Sequence, residues 1–124
     1  MIAYLQRRIS SFACAIKGAA VLVRSQPHAR VHLAATVAVF VLGISFNLQR
    51  LEWCLLIVAI MVVWMAEGMN TALEALADAV HPGHHPLIGR AKDVAAAAVL
   101  FAAVGALLIG LLVFGNYLKA WISA

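Results

Sequence analysis

The sequence predicts an all-α membrane protein, built from an N-terminal amphipathic surface helix and three transmembrane helices. Three observations predict it. Of the 124 residues, 65% are hydrophobic and only 11% are charged, whereas an ordinary soluble domain is about a quarter charged. Three long segments are nearly free of charge, and the segment ahead of them is amphipathic instead. A soluble chain of this size leaves a large share of its surface in water, so lipid is the solvent that suits this much apolar surface.

The elements follow in order. Over residues 1–26, Ile2, Leu5, Ile9, Phe12, Ile16 and Val23 recur at spacings of three, four and seven, which at about 100° per residue places them on one side of a helix. Gln6, Arg7, Ser10, Lys17 and Arg24 take the other side. Such a helix lies in the interface plane rather than crossing it. A signal peptide is the competing reading, but Lys17 interrupts the apolar run and no polar mature domain follows. Pro27 then marks a bend. Transmembrane helices are expected over 30–49, 53–80 and 91–119. At about 1.5 Å per residue each can cross a hydrocarbon core of roughly 30 Å, the first only just. They should be helical because a lone strand would leave its backbone unpaired in lipid. Residues 47–50 form a short turn, and the Pro- and Gly-punctuated stretch 81–86 forms a loop. No repeat or composition break divides the chain, so 1–124 reads as one domain.

The net charge is +4. In a soluble protein that would point to nucleic acid. Here the basic residues gather near the N-terminus and aromatics are few, so anionic headgroups are the expected partner and nucleic acid is not. Arg7, Arg8, Lys17, Arg24 and Arg30 precede the first span, and Arg90 and Lys92 follow the second. Only Arg50 and Lys119 lie on the opposite side. The bias puts the N-terminus and the 81–86 loop in the cytoplasm. Cys14 and Cys54 stand far apart with no CxxC pattern and read as apolar filler.

The chemistry concentrates on the second span. Glu67, Asn70, Glu74 and Asp78 occupy positions i, i+3, i+7 and i+11, an arc of about 80° on one helix face. From Glu67 to Asp78 the row climbs roughly 16 Å. An unpaired charge at membrane depth costs at least about 2.5–3.5 kcal/mol, so the row needs either partners or a task. One reading is a structural network in which the acids pair with Arg30, Arg90 or Lys92. The other is metal and phosphate chemistry. Arg90, Lys92 and Asp93 are expected to open the third span, where a helix N-terminus attracts anions and Asp93 would serve equally as a first-turn acid. Glu52 reads as an ordinary interfacial acid. Neither a P-loop nor a soluble kinase signature occurs.

The run Ala66-Glu67-Gly68-Met69-Asn70-Thr71-Ala72-Leu73-Glu74, then Asp78, then His85-Pro86-Leu87-Ile88-Gly89-Arg90-Ala91-Lys92-Asp93 resembles the signature of the prokaryotic diacylglycerol kinase and undecaprenol kinase family. Lys17-Gly18 and Arg30 fit that pattern as well, and the resemblance covers nearly the whole chain. It implies a homotrimeric lipid kinase of the bacterial inner membrane, using ATP and Mg²⁺ to phosphorylate a lipid alcohol for phospholipid or lipid-carrier recycling. It also implies roles. Glu67 matches the catalytic base and Glu74 a magnesium carboxylate. Asn70, Lys92 and Asp93 match positions lining the nucleotide and phosphate site, with Arg7, Lys17 and His85 on its nucleotide side and Asp78 and Arg30 in support. These roles agree with the chemistry. A carboxylate can take the proton of a weakly nucleophilic hydroxyl, and phosphoryl transfer otherwise needs positioning and charge neutralisation.

One position departs from the family. Gln26 stands where the family usually has a glutamate that helps hold the metal. Gln offers a carbonyl oxygen without charge, and Mg²⁺ prefers carboxylates. Nearby His28 and His32 are poor replacements. His81, His84 and His85 in the loop make a weak zinc pattern without a nearby cysteine. Met61, Met65 and Met69 read as packing or lipid contact. Two other classes of function stay open beside the kinase. Intramembrane acids also line ion pathways, and a family member altered at Gln26 could be non-catalytic.

Overall fold

The computed structural model describes residues 1–123, apart from the side chains of residues 2, 3, 5 and 7. Four helices account for almost all of it: α1 (Ile2–Ser25), α2 (Pro27–Ser45), α3 (Arg50–Val80) and α4 (Pro86–Ile122). The last three are each long and apolar enough to cross a membrane, α2 being the shortest. The expected class, a surface helix and three transmembrane helices, is the architecture found.

Local chemistry sets the breaks. Pro27 cannot donate an N–H, so it ends the ladder of α1 and starts α2 as a favourable first-turn residue. At the other end of α2 the chain reverses through Asn47, the one non-glycine residue with positive φ (52°) among those described. The Leu48 amide returns to the Gly43 carbonyl at 3.1 Å and closes the turn. α3 then opens with a capping box. The Gln49 amide donates to Glu52 at 2.7 Å, and the Gln49 side chain accepts from the backbone of Glu52. Pro86 behaves differently from the sequence expectation. It is the first residue of α4 rather than part of the loop, and His85 caps the helix by accepting from the Leu87 amide at 3.3 Å. Proline's fixed φ suits the first helical position, which moves the start five residues upstream of 91.

The core is small. α3 is the central element, packing chiefly on α4 and also on α2 and α1. Leu48, Leu56, Val113 and Phe114 form the buried cluster at the 46–49 end, with Phe46 stacked on Tyr117 at 5.7 Å between ring centres. Gly43 allows the closest approach: a Cβ there would lie 2.7 Å from the Trp53 ring. Most large apolar side chains, Met61, Met65 and Met69 among them, face outward, as expected where the surroundings are hydrocarbon rather than water.

A groove remains between α2, α3 and α4. Its volume is about 470 Å³ and its walls are almost wholly apolar, from Phe114 and Leu118 at one end to His32, Thr36 and Trp64 at the other. At that second end the Trp64 indole N–H donates to Thr36 Oγ1 at 3.1 Å, and Thr36 donates to the His32 carbonyl at 2.7 Å.

Candidate active site

Helix length places the acids. α3 has 31 residues, or roughly 46 Å, against a hydrocarbon core of about 30 Å. Counting from the interface at Arg50, Glu67 falls about 25 Å in, near the far edge of the core, and Asp78 falls well beyond it. Burial follows the same gradient. Glu67 is 2% exposed and is the one buried charged residue among those described. Asn70 and Glu74 are half-buried, and Asp78 is exposed.

The row is organised pairwise. Asn70 Nδ2 donates to Glu74 Oε1 at 3.2 Å. Thr71 donates to the Glu67 backbone carbonyl at 2.9 Å, and separately no hydrogen bond or ion pair reaches the Glu67 carboxylate among the described residues. Asn70 Oδ1 is buried and also has no partner. Buried polar oxygens are rarely left so. A Glu74 carboxylate and an Asn70 amide oxygen are both donors of the hardness Mg²⁺ takes, and that ion needs only one or two carboxylates beside phosphate and water. No group of three or more His, Cys, Asp or Glu residues is placed to hold a metal among the described residues.

Lys92 crosses from α4 to α3 and forms an ion pair with Asp78. It is the only ion pair between the acid row and a cation among the described residues, and it is one of the pairings that a structural network would use. Arg30 does not reach the acids. Its Nε donates to the Val23 carbonyl at 3.2 Å and its Nη2 to the Arg24 carbonyl at 2.7 Å. The reason is proximity: Pro27 turns the chain so that Arg30 lies beside the unpaired carbonyls at the end of α1. Lys92 and Asp93 do not lie in the first turn. Because α4 starts at Pro86, they sit about two turns in, and Asp93 is exposed rather than capping. The α4 terminus lies instead just after His85, whose side chain caps the Leu87 amide and whose carbonyl takes the Gly89 amide at 2.9 Å.

The remaining expected residues are dispersed. Gln26 is half-buried at the α1–α2 elbow, and no hydrogen bond joins its side chain to Glu74. Lys17 is exposed on α1. The side chain of Arg7 lies outside the described residues. His85 packs edge-on against His81 at 5.4 Å. Two features escaped the sequence reading. Glu52 also accepts from the Tyr117 hydroxyl at 2.7 Å, tying the start of α3 to the end of α4. The Trp64–Thr36–His32 chain could not be read from spacing, because it joins two helices.

The groove and the acid row share one face of α3: Val63 and Trp64 line the groove, and Glu67 follows them by one turn. Residues 13–114 match the profile of the family described as prokaryotic diacylglycerol kinase. The chain belongs to that family. It is 37% identical over 110 residues to the undecaprenol kinase of Bacillus subtilis, covering 89% of both chains. Similarity to the diacylglycerol kinase of Synechocystis is 35% over 101 residues, 81% of this chain and 58% of that one. For the diacylglycerol kinase of Escherichia coli K12 it is 35% over 74 residues, 60% of this chain and 61% of that one. As a member of the prokaryotic diacylglycerol kinase family, the chain is a membrane-embedded lipid kinase of the diacylglycerol and undecaprenol kind.

Proposed function

We propose that the protein transfers the γ-phosphoryl group of ATP to the hydroxyl of a membrane lipid alcohol, with Glu67 as base. The observation that carries this reading is the placement of a buried, unpaired carboxylate at the end of an apolar groove. A lipid alcohol has both parts that such a site requires: a hydrocarbon tail to lie among apolar walls and a hydroxyl to meet the acid. Glu67 accepts the hydroxyl proton as the oxygen attacks phosphorus. Lys92, held over the outer part of the row, takes the phosphate charge.

Mg²⁺ would be held by Glu74 and the Asn70 amide oxygen, and when bound it neutralises phosphate charge. Gln26 would contribute a neutral oxygen at most. Asp93, Lys17, Arg7 and His85 would serve the nucleotide from α4, α1 and the loop. The resemblance of the charged motifs to the family extends the reading to a homotrimer. The excess of Arg and Lys around α1 and the 81–93 stretch supports a cytoplasmic site in the bacterial inner membrane. Undecaprenol is the first substrate to test, because the undecaprenol kinase relative matches along nearly the full length of both chains.

The deciding experiment incubates purified protein in mixed micelles with labelled ATP, Mg²⁺ and either undecaprenol or diacylglycerol. Label should enter lipid, with undecaprenol preferred. Absence of label in both lipids would remove the enzymatic reading and leave a non-catalytic or ion-conducting membrane protein.

A further inference from the structure

The elbow between α1 and α2 carries more than a bend. The last carbonyls of a helix have no partners within it. Pro27 offers no N–H to them, and the Gln26 amide takes only that of Leu22, at 3.1 Å. Arg30, one turn into α2, donates to the next two, Val23 and Arg24. These are charge-assisted hydrogen bonds at the negative end of the α1 dipole. A planar guanidinium bonded to two successive carbonyls fixes the direction of α1 as well as capping it. Ala29, beside it, is fully buried.

The direction so fixed carries α1 across α3. The two helices touch, and a Cβ on Gly68 would stand 3.9 Å from Leu22 Cδ2. Gly68 directly follows Glu67. Glu67 is the most buried charged side chain of the acid row, yet by helix length it lies near the edge of the hydrocarbon core, about 25 Å from Arg50.

We infer that Arg30 is a positioning residue that latches α1 over Glu67, so that α1 forms the roof excluding water from the base. This rests on the kinase reading for its chemical consequence. With the roof closed, the hydroxyl beside Glu67 is that of the lipid. With it loosened, water takes that place: the bond from γ-phosphorus to the β-bridging oxygen breaks, a bond to the water oxygen forms, and the water proton passes to Glu67. A closed site suppresses this side reaction.

The test measures ATP hydrolysed to ADP and phosphate, and lipid phosphorylated, in the same micelles for wild type, Arg30→Gln, Arg30→Lys and Leu22→Ala. The ratio of hydrolysis to lipid phosphorylation should rise roughly fivefold or more in Arg30→Gln and Leu22→Ala. Arg30→Lys, able to bond one carbonyl at a time, should fall between. A merely structural role would lower both products together and leave the ratio at the wild-type value, which would overturn the inference. Should Arg30→Gln fail to fold, Leu22→Ala carries the same comparison. A second measurement is independent of chemistry. Cys14 on α1 and Cys54 on α3 are free and exposed, so each can carry a spin label, with labelled chains diluted into unlabelled ones. The distance distribution between them should broaden in Arg30→Gln. Superimposable distributions would refute the latch, whereas a wild type that labels no lipid would refute only the kinase reading.

Discussion

Asn70 treats its two acidic neighbours differently. Its amide nitrogen holds Glu74 and its oxygen stays free, while Glu67 one turn below keeps an unpaired carboxylate. Asn70→Ala removes both functions of the amide, so the Mg²⁺ concentration for half-maximal activity should rise about tenfold, given that losing a supporting ligand typically costs 10–100-fold in metal affinity. A Mg²⁺ titration at saturating ATP measures it. Gln26→Glu should shift the same titration downward, because a carboxylate is the stronger magnesium ligand; an unchanged curve would show that position 26 does not reach the metal. The Asp78–Lys92 pair is partly exposed, with side chains 68% and 33% accessible, so Asp78→Asn should change thermal stability in detergent by only about 0–1 kcal/mol. At this scale the sequence was informative where chemistry depends on spacing along one helix. The arc from Glu67 to Asp78 was legible because 3.6-residue periodicity alone determines it. The partner of Arg30 was not, since backbone carbonyls leave no mark in a sequence.

Helices join through contacts that single-segment periodicity does not contain. Gly43 is the clearest case. A methyl there would overlap the rigid Trp53 ring, so Gly43→Ala should cost about 1–3 kcal/mol through forced repacking of α2 against α3, read as a lowered melting temperature in detergent. Tyr117→Phe removes a hydrogen bond to Glu52, and bonds to charged groups are worth about 1.5–3 kcal/mol, so its loss should loosen the joint of α3 and α4 by a comparable amount in the same assay. The helices themselves were legible, because three long, predominantly apolar stretches must pair their own backbone in lipid. The start of α4 was misplaced because proline punctuates loops and opens helices alike. Without a clear cap residue, the sequence did not separate the two uses. Glu52 looked unremarkable because its second partner lies on a helix more than sixty residues away.

The molecule as a whole leaves most of its large apolar side chains outside its core, and that surface must meet lipid, further copies of the chain, or both. The acid row and Lys92 lie toward one end of α3 and α4, where helices longer than the hydrocarbon core emerge from it. The α2–α3–α4 groove runs to that end and stops one turn short of Glu67. A lipid kinase needs this layout, since its two substrates arrive from different solvents and must meet at the boundary. The family was legible in the sequence through short charged motifs; the groove was not, because its walls come from three helices. The most direct test of the account is the turnover of Glu67→Gln at saturating ATP and lipid, alongside ATP binding by the same variant. A base that acts only in the transfer step predicts a kcat lower by about 10²–10⁴-fold with ATP affinity unchanged, and a variant that phosphorylates lipid at the wild-type rate would contradict it.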